Sequence, residues 1–429
     1  MAIGLKKLDV MKPRQISTPG DRPRTIAELG VRESLVEDIA LKALYLSSPF
    51  SVLDLAEQTH LSFEVAEQIS SRLRAKLLCE VAGMIGNVPR IAISTHGRER
   101  ALELLAQNQY SGSVPVSLES YVAQVRRQSV RNVEVGPRDV ERAFAHLVFD
   151  DEMLSQFGTA LNSGSAVFLY GPPGVGKTAA AESFSRVLAE DKIWIPFAVE
   201  AGGQIITVYD PVIHGPIEPL EFDDHDRRWV KCSRPTVMVG GELTAEMLDL
   251  QFNPISRFYE GPAQMKANNG VLIIDDFGRQ RIPPEDLLNR WVVPLDRRIE
   301  FLSLVGGRKI EIPFEMLVVF ATNRDPESIL EPAFLRRIQT KIRIGAASDE
   351  QFCEIFRRVA AEYGCTVNRD LLDELMMIIR DKLGHELRSC YPRDLLHQIR
   401  SKARYEGKDI SLDRASLMRA VNTYFLQAR

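Results

Sequence analysis

The chain has 429 residues, of which 45% are hydrophobic and 26% charged, with a net charge of −4. That length exceeds one ordinary domain and supplies several cores, while the mildly acidic balance excludes a globally basic nucleic-acid binder and leaves only a local patch for such contacts. Five cysteines (Cys79, Cys232, Cys353, Cys365, Cys390), odd in number and without a C-x-x-C pair, argue against a disulfide framework or zinc site and predict reduced packing thiols.

Residues 1–25 mix Lys, Pro, Ser and Gly without periodicity and are expected as a mobile arm. They contain no apolar signal core, and no run approaches the ~18 apolar residues of a membrane span. A cytoplasmic protein without membrane insertion is expected. From Glu33 to Leu46, Leu35, Ile39, Ala43 and Leu46 recur at helical spacing; Ser51 and Asp54 open a second helix over 52–59 in capping-box form; a third follows Ser62. Two β-type runs (79–82 and 90–93) and a helix over 95–107 complete a winged-helix pattern over 26–107. Residues 108–130, rich in Ser, Gly and Pro at their start, are expected as a linker.

Such a pattern suggests DNA binding through the third helix, or a protein-interaction module. Residues 1–130 hold 16 Lys and Arg against 14 Asp and Glu, a local charge of only +2, and Glu64 and Glu67 stand in the first turns of the would-be reading helix. Arg72, Arg74 and Lys76 lie at its far end. DNA is therefore the disfavoured partner, and a protein partner the preferred one.

After two helices predicted within 133–160, the apolar run 166–170 leads into Gly171-Pro172-Pro173-Gly174-Val175-Gly176-Lys177-Thr178 and a helix from Ala179. This is G-x-x-x-x-G-K-[ST] between strand and helix, the arrangement of a phosphate loop. Backbone N–H groups at the helix start, with glycines leaving room, suit a triphosphate; Lys177 supplies charge to the β/γ-phosphates, and the Thr178 hydroxyl suits Mg²⁺. Val271 to Ile274 form a second buried-strand run ending in Asp275 and Asp276. A third run, 316–322, ends in Asn323. Pro332-Ala333-Phe334-Leu335 then leads to the pair Arg336-Arg337, and Tyr391-Pro392-Arg393 opens a later helix.

These five elements in this order, over about 230 residues, resemble the AAA+ ATPases. The resemblance implies a P-loop doubly wound α/β domain over 131–345 and an α-helical lid over 346–429, holding ATP or ADP with Mg²⁺ on Thr178 and Asp275. It further implies that Asp276 activates the attacking water and Asn323 positions it. Arg337 or Arg336 reaches the γ-phosphate of a neighbouring copy in a homo-oligomeric ring, expected as a hexamer, and Arg393 acts as the lid's sensor. Asp276 replaces the usual glutamate, one methylene shorter, so either slow hydrolysis or help from another group is expected. A hairpin over 298–312 is similar to the one inserted before the first sensor in the MoxR-like, helicase-like and unfoldase-like branches, and segments such as 208–211 and 260–262 are similar to MoxR-like proteins.

Three purposes follow: a chaperone-like remodeller of a protein partner, a DNA-acting motor, or a nucleotide-gated scaffold that scarcely hydrolyses. The cluster Asp223-Asp224-His225-Asp226 has metal-ligand types but reads as a solvated charge run, and His214 as a packing residue. Trp229, Tyr209 and Phe258, in the long segment 202–269, suit packing or a partner contact.

Overall fold

The computed structural model describes residues 19–47, 49–217 and 225–425. Most of the expected arm, and Asp223 and Asp224, lie outside them. The N-terminal unit comprises α1 (Glu33–Ser47), β1 (Phe50–Ser51), α2 (Val52–Thr59), α3 (Phe63–Ala75), β2 (Cys79–Ile85), β3 (Val88–Ile93) and α4 (Thr95–Gln107). Its sheet runs β1-β3-β2. Serine side chains start three helices: Ser51, Ser62 and Ser94 each accept an amide of the following turn.

Residues 108–130 differ from the expected linker. Val116 and Ser117 form β4, paired in parallel with a strand at residue 199, and the Ser117 hydroxyl caps α5 (Leu118–Arg127). Val114, Val116 and Tyr121 are buried. Composition alone reads Ser and Pro here as linker, whereas one of those serines is a cap and the valines find their partners far along the chain.

The central domain follows: α6 (Pro137–Phe144), α7 (Asp151–Ser163), β5 (Val167–Tyr170) and α8 (Lys177–Leu188). Next come β6 (Lys192–Pro196), β7 (Ala198–Ala201), β8 (Gln204–Thr207), β9 (Trp229–Ser233), β10 (Thr236–Val239), β11 (Gln251–Phe252), β12 (Tyr259–Glu260) and α9 (Ala263–Lys266). β13 (Val271–Ile274), α10 (Pro284–Arg297), β14 (Ile299–Ser303), β15 (Lys309–Pro313), β16 (Leu317–Thr322), α11 (Pro332–Leu335) and β17 (Thr340–Arg343) complete it.

Five strands make one all-parallel sheet in the order β10-β13-β16-β5-β17. Alternate residues divide between its two faces. Val167, Leu169, Val271, Ile273 and Val319 pack with α6, α7 and α8, whereas Phe168, Leu272, Ile274, Val318 and Phe320 pack with α10 and Phe277. Both faces are covered, which explains why these strands read as continuous apolar runs.

Segment 192–260, joined by β4, builds a second sheet, β11-β12-β8-β7-β4, and the antiparallel pair β6-β9. The hairpin β14-β15 forms where alternation predicts it, but it is packed: Leu302, Leu304, Ile310 and Ile312 share a core with Tyr121, Val199, Ile206 and Trp229. The N-terminal unit docks on the same sheet, its core continuing into Ala198 and Ile205. Arg228 pins that junction. Buried with Asp226, it donates from Nη1 to the carbonyls of Leu29 (2.9 Å) and Pro115 (3.1 Å).

The C-terminal unit is helical: α12 (Asp349–Glu362), α13 (Arg369–Met377), α14 (Tyr391–Glu406) and α15 (Arg414–Tyr424), around a core of Phe352, Phe356, Leu375, Leu395 and Leu417.

Candidate active site

The loop 171–176 joins the carboxyl end of β5 to α8, and the sheet order sets β16 beside β5 and β13 beside β16. Register aligns their ends, with Thr322 opposite Tyr170 and Phe320 opposite Ile274. Lys177, Asp275, Asp276 and Asn323 therefore leave one edge of the sheet together. Ligands of open α/β sheets bind at such an edge.

Within that edge, Lys177 Nζ folds back over its loop and donates to the carbonyls of Gly171 (3.0 Å) and Pro172 (2.7 Å). Burial draws the ammonium below its ordinary range, Asp275 and Asp276 oppose the shift, and Arg388 adds to it. Thr178 Oγ1 donates to Asp275 Oδ2 at 2.9 Å. The chain has a P-loop α/β fold. Thr178 and Asp275 are hard oxygen donors already in contact across two strands, which fits a hydrated divalent cation such as Mg²⁺.

Asp275 takes the Val239 carbonyl on its amide and turns its Oδ1 to the amide of Asp276 at 2.9 Å. Asp276 adopts a left-handed backbone (φ 49°) and is exposed; an aspartate tolerates that conformation better than most residues, yet it is uncommon and concentrates at functional turns. Phe277 ties this turn to the neighbouring strand, its amide to Ala321 and its carbonyl to the Thr322 hydroxyl. Asn323 follows immediately and is half-buried.

The helical unit closes on the loop. Cys390 donates its amide to the Gly174 carbonyl at 3.0 Å. A Cβ on Gly174, whose φ is +80°, would lie 2.5 Å from Cys390 Sγ and 3.7 Å from Arg388 Cδ. Arg393 is exposed in the first turn of α14. Arg388, which the sequence reading missed, lies against the loop instead. Its Nε is buried with no hydrogen-bond acceptor among the described residues. The stretch Arg388-Ser389-Cys390-Tyr391-Pro392-Arg393 offered two arginines, and only the docking of the unit distinguishes them.

Arg336 and Arg337 follow α11. Arg337 Nε donates to Asp296 Oδ2 at 3.1 Å, and its guanidinium lies 5.9 Å from the Phe334 ring. It lines a cavity with Ser165 and Ala166, which precede β5. The phosphate loop begins five residues later, at Gly171; at about 3.3 Å per residue that is roughly 16 Å away, at the other end of the strand. Arg336 borders this cavity and another near Tyr170.

His214 is buried between the Asp210 amide, which it accepts on Nδ1 (2.9 Å), and the Lys266 carbonyl (2.8 Å), so it is a packing residue. Asp226 belongs to the Arg228 ion pair and the His225 ring packs tilted against Trp194. Among the described residues no group of three His, Cys, Asp or Glu could hold a metal, the five thiols are unpaired, and no helix is long and apolar enough to cross a membrane. Trp229 is buried, Tyr209 contacts Phe197 and His214, and Phe258 packs on Tyr110.

A sequence family described as a domain of unknown function (DUF8689) matches residues 348–423, the helical unit. No curated protein matches the chain. Among solved structures, NtrX from Brucella abortus is similar at 14% identity and a TM-score of 0.41, over 68% of this chain and 59% of NtrX. The chain thus spans about three fifths of that relative. A Thermotoga maritima RuvB mutant (14% identity, TM-score 0.36, 69% of this chain and 72% of RuvB) is similar as well. So is domain III of Thermotoga maritima DnaA (13% identity, TM-score 0.36, 70% of this chain and 98% of the domain).

Proposed function

We propose that the chain is an ATPase of the AAA+ type, binding ATP with Mg²⁺ between its central sheet and its helical lid and working as a ring. The observation that carries this reading is the Thr178–Asp275 contact at 2.9 Å beside Lys177, at the edge where three adjacent strands end. Mg²⁺ held by Thr178 and Asp275 would neutralise phosphate charge. Asp276 orients the attacking water and accepts its proton, and Asn323 fixes that water's position. As the water oxygen bonds to the γ-phosphorus, the bond to the bridging oxygen breaks and ADP leaves with the electron pair. Lys177 and Arg388, which lies against Gly174, bear on the phosphates, and Arg393, exposed in the first turn of α14, serves as the lid's sensor. Arg337, with Arg336, serves the neighbouring copy, because its place near the start of β5 separates it from its own loop.

A protein partner is favoured over DNA. Arg72 pairs with Glu33 and Glu37, and Lys76 with Glu37, so α1 neutralises two of the three cations that would meet phosphates. The β2 edge instead exposes Val81, Met84 and Ile85, which suits a protein contact by a winged-helix-like module. A second reading, a nucleotide-gated scaffold with slow hydrolysis, is favoured by Asp276 alone.

The test is nucleotide binding and turnover by wild type and Lys177→Ala. Loss of both in the variant supports the proposal; tight ATP binding by Lys177→Ala contradicts it. Asp276→Glu separates the two readings: a rise in turnover favours the ATPase, and an unchanged slow rate favours the scaffold.

A further inference from the structure

Loop 385–391 of the helical unit carries Arg388 and Cys390, the two groups set against Gly174. Backbone bonds tether the loop along its length. The His385 amide donates to the Ile379 carbonyl (2.9 Å), the Ala347 amide to the Leu387 carbonyl (2.8 Å) and the Tyr391 amide to the Arg388 carbonyl (3.1 Å). The Arg388 guanidinium lies 5.9 Å from the Tyr391 ring, while its Nε is buried with no acceptor among the described residues. Two carboxylates border the loop, Asp394 beside Cys390 and Glu386 beside Tyr391, and neither accepts from that Nε. Arg388 also acts on Lys177, adding to the burial that draws that ammonium below its ordinary range. A buried donor without an acceptor, beside a second cation, is complete only when an anion arrives.

What keeps this loop in place comes from the end of α15. The buried Phe425 ring stacks on His385 with centroids 5.3 Å apart and meets Tyr391 edge-on at 5.0 Å, so one side chain touches both ends of the loop. Tyr424 packs edge-on against Tyr391 (5.7 Å) and against Phe425 (5.0 Å). Edge-to-face pairs at such separations stabilise beyond the area they bury and fix the angle between rings. The Tyr424 hydroxyl donates to Asp394 Oδ2 at 2.6 Å and lies 4.0 Å from Cys390 Sγ. Burial, and then the bond to Asp394, raise that phenol, so it remains the donor.

We propose that Tyr424 and Phe425 are positioning residues for nucleotide binding: their rings clasp the two ends of loop 385–391 and thereby hold Arg388 at Gly174, where a phosphate completes its buried Nε. This rests on the nucleotide reading above and deepens it. Neither residue touches the nucleotide. Each acts through Arg388, whose place depends on Tyr391 on one side and on the His385 end of the loop on the other.

The test is the affinity of full-length wild type, Arg388→Ala, Phe425→Ala and the double variant for a fluorescent ATP analogue, read by anisotropy at a temperature where circular dichroism shows each chain folded. Wild type that does not bind would remove the nucleotide reading itself. Wild type that binds, with the affinity unchanged in Arg388→Ala, would overturn the clasp and leave the reading to Lys177. Each single substitution is expected to weaken binding about fivefold or more. The double variant should bind no more than about twofold more weakly than Arg388→Ala, because a residue that acts through Arg388 loses nothing further once that side chain is gone. Unchanged affinity in Phe425→Ala, or losses that multiply in the double variant, would make Phe425 a packing residue of the lid and overturn the proposal. Should Phe425→Ala not fold, Tyr424→Phe carries the same cycle, since it keeps the ring and removes only the hydroxyl. A loss of about twofold or more that vanishes in the Arg388→Ala background supports the proposal, and unchanged affinity or an equal loss in both backgrounds overturns it.

Discussion

The Cys390 amide and the Gly174 carbonyl, 3.0 Å apart, are the point at which the helical lid meets the phosphate loop. This bond joins the lid to the loop itself, while Arg358 ties α12 to the Ala145 carbonyl at 2.7 Å elsewhere, and Gly174 has no Cβ to hold lid and loop apart. A movement of either is transmitted to the other. Arg388, two residues before Cys390, moves with it.

Gly174→Ala tests this coupling. A left-handed backbone costs an L-residue roughly 1–2 kcal/mol, and the new methyl would press on Cys390 Sγ at 2.5 Å. The affinity for a fluorescent ATP analogue is expected to fall about tenfold or more by anisotropy titration, equivalent to roughly 1.4 kcal/mol. Unchanged affinity would mean that the lid does not need this contact.

Glu300, on β14, is buried, and burial raises its carboxyl to about 7 against an ordinary 4.5, with Arg290 and Gln264 opposing the shift. Its folded form holds the proton more tightly than its unfolded form does. The group's contribution to stability is therefore fully present below pH 4.5 and is lost as pH rises toward 7. Glu300→Gln should flatten that loss and leave the protein roughly 1–3 kcal/mol more stable than wild type at pH 8, read by urea unfolding at pH 5 and pH 8. An identical pH dependence in the two proteins would show that Glu300 ionises normally.

The helices of the N-terminal unit, the phosphate loop and the Asp275 strand were legible because their signals are local: a cap serine, a glycine pattern, an apolar run closed by carboxylates. Long-range pairing decided the rest. Val116 pairs with Val199, so residues 108–130 read as linker until that strand is in place. Arg388 and Arg393 lie five residues apart in one polar stretch, and only the lid's docking sets Arg388 on the loop. The pairing of Arg72 and Lys76 is not legible in the sequence because Glu33 and Glu37 lie on another helix.

Arg228→Met tests the junction between the N-terminal unit and the second sheet. The substitution leaves Asp226 buried and unpaired and removes donors from the Leu29 and Pro115 carbonyls. A cost of about 3–5 kcal/mol is expected, with faster proteolysis around residues 19–32. Adding Asp226→Asn should recover part of that loss. Equal melting temperatures in wild type and Arg228→Met would remove Arg228 from the junction.

For DNA, wild type is expected to give no shift of arbitrary duplex at about 0.15 M salt, because paired cations release few counterions. Retention of duplex that is salt-dependent and lost on changing Arg72, Arg74 and Lys76 to Ala would reverse the choice of partner.

The most direct measurement is ATP turnover per chain against protein concentration, for wild type and Arg337→Ala, with mass determined at each concentration. Wild-type turnover per chain is expected to rise as rings form. Arg337→Ala is expected to bind ATP and assemble but to turn over at least a thousandfold more slowly, the lower end of the roughly 10³–10⁵ that an arginine finger contributes. Turnover independent of concentration, and equal in Arg337→Ala at full assembly, would contradict a site shared between copies.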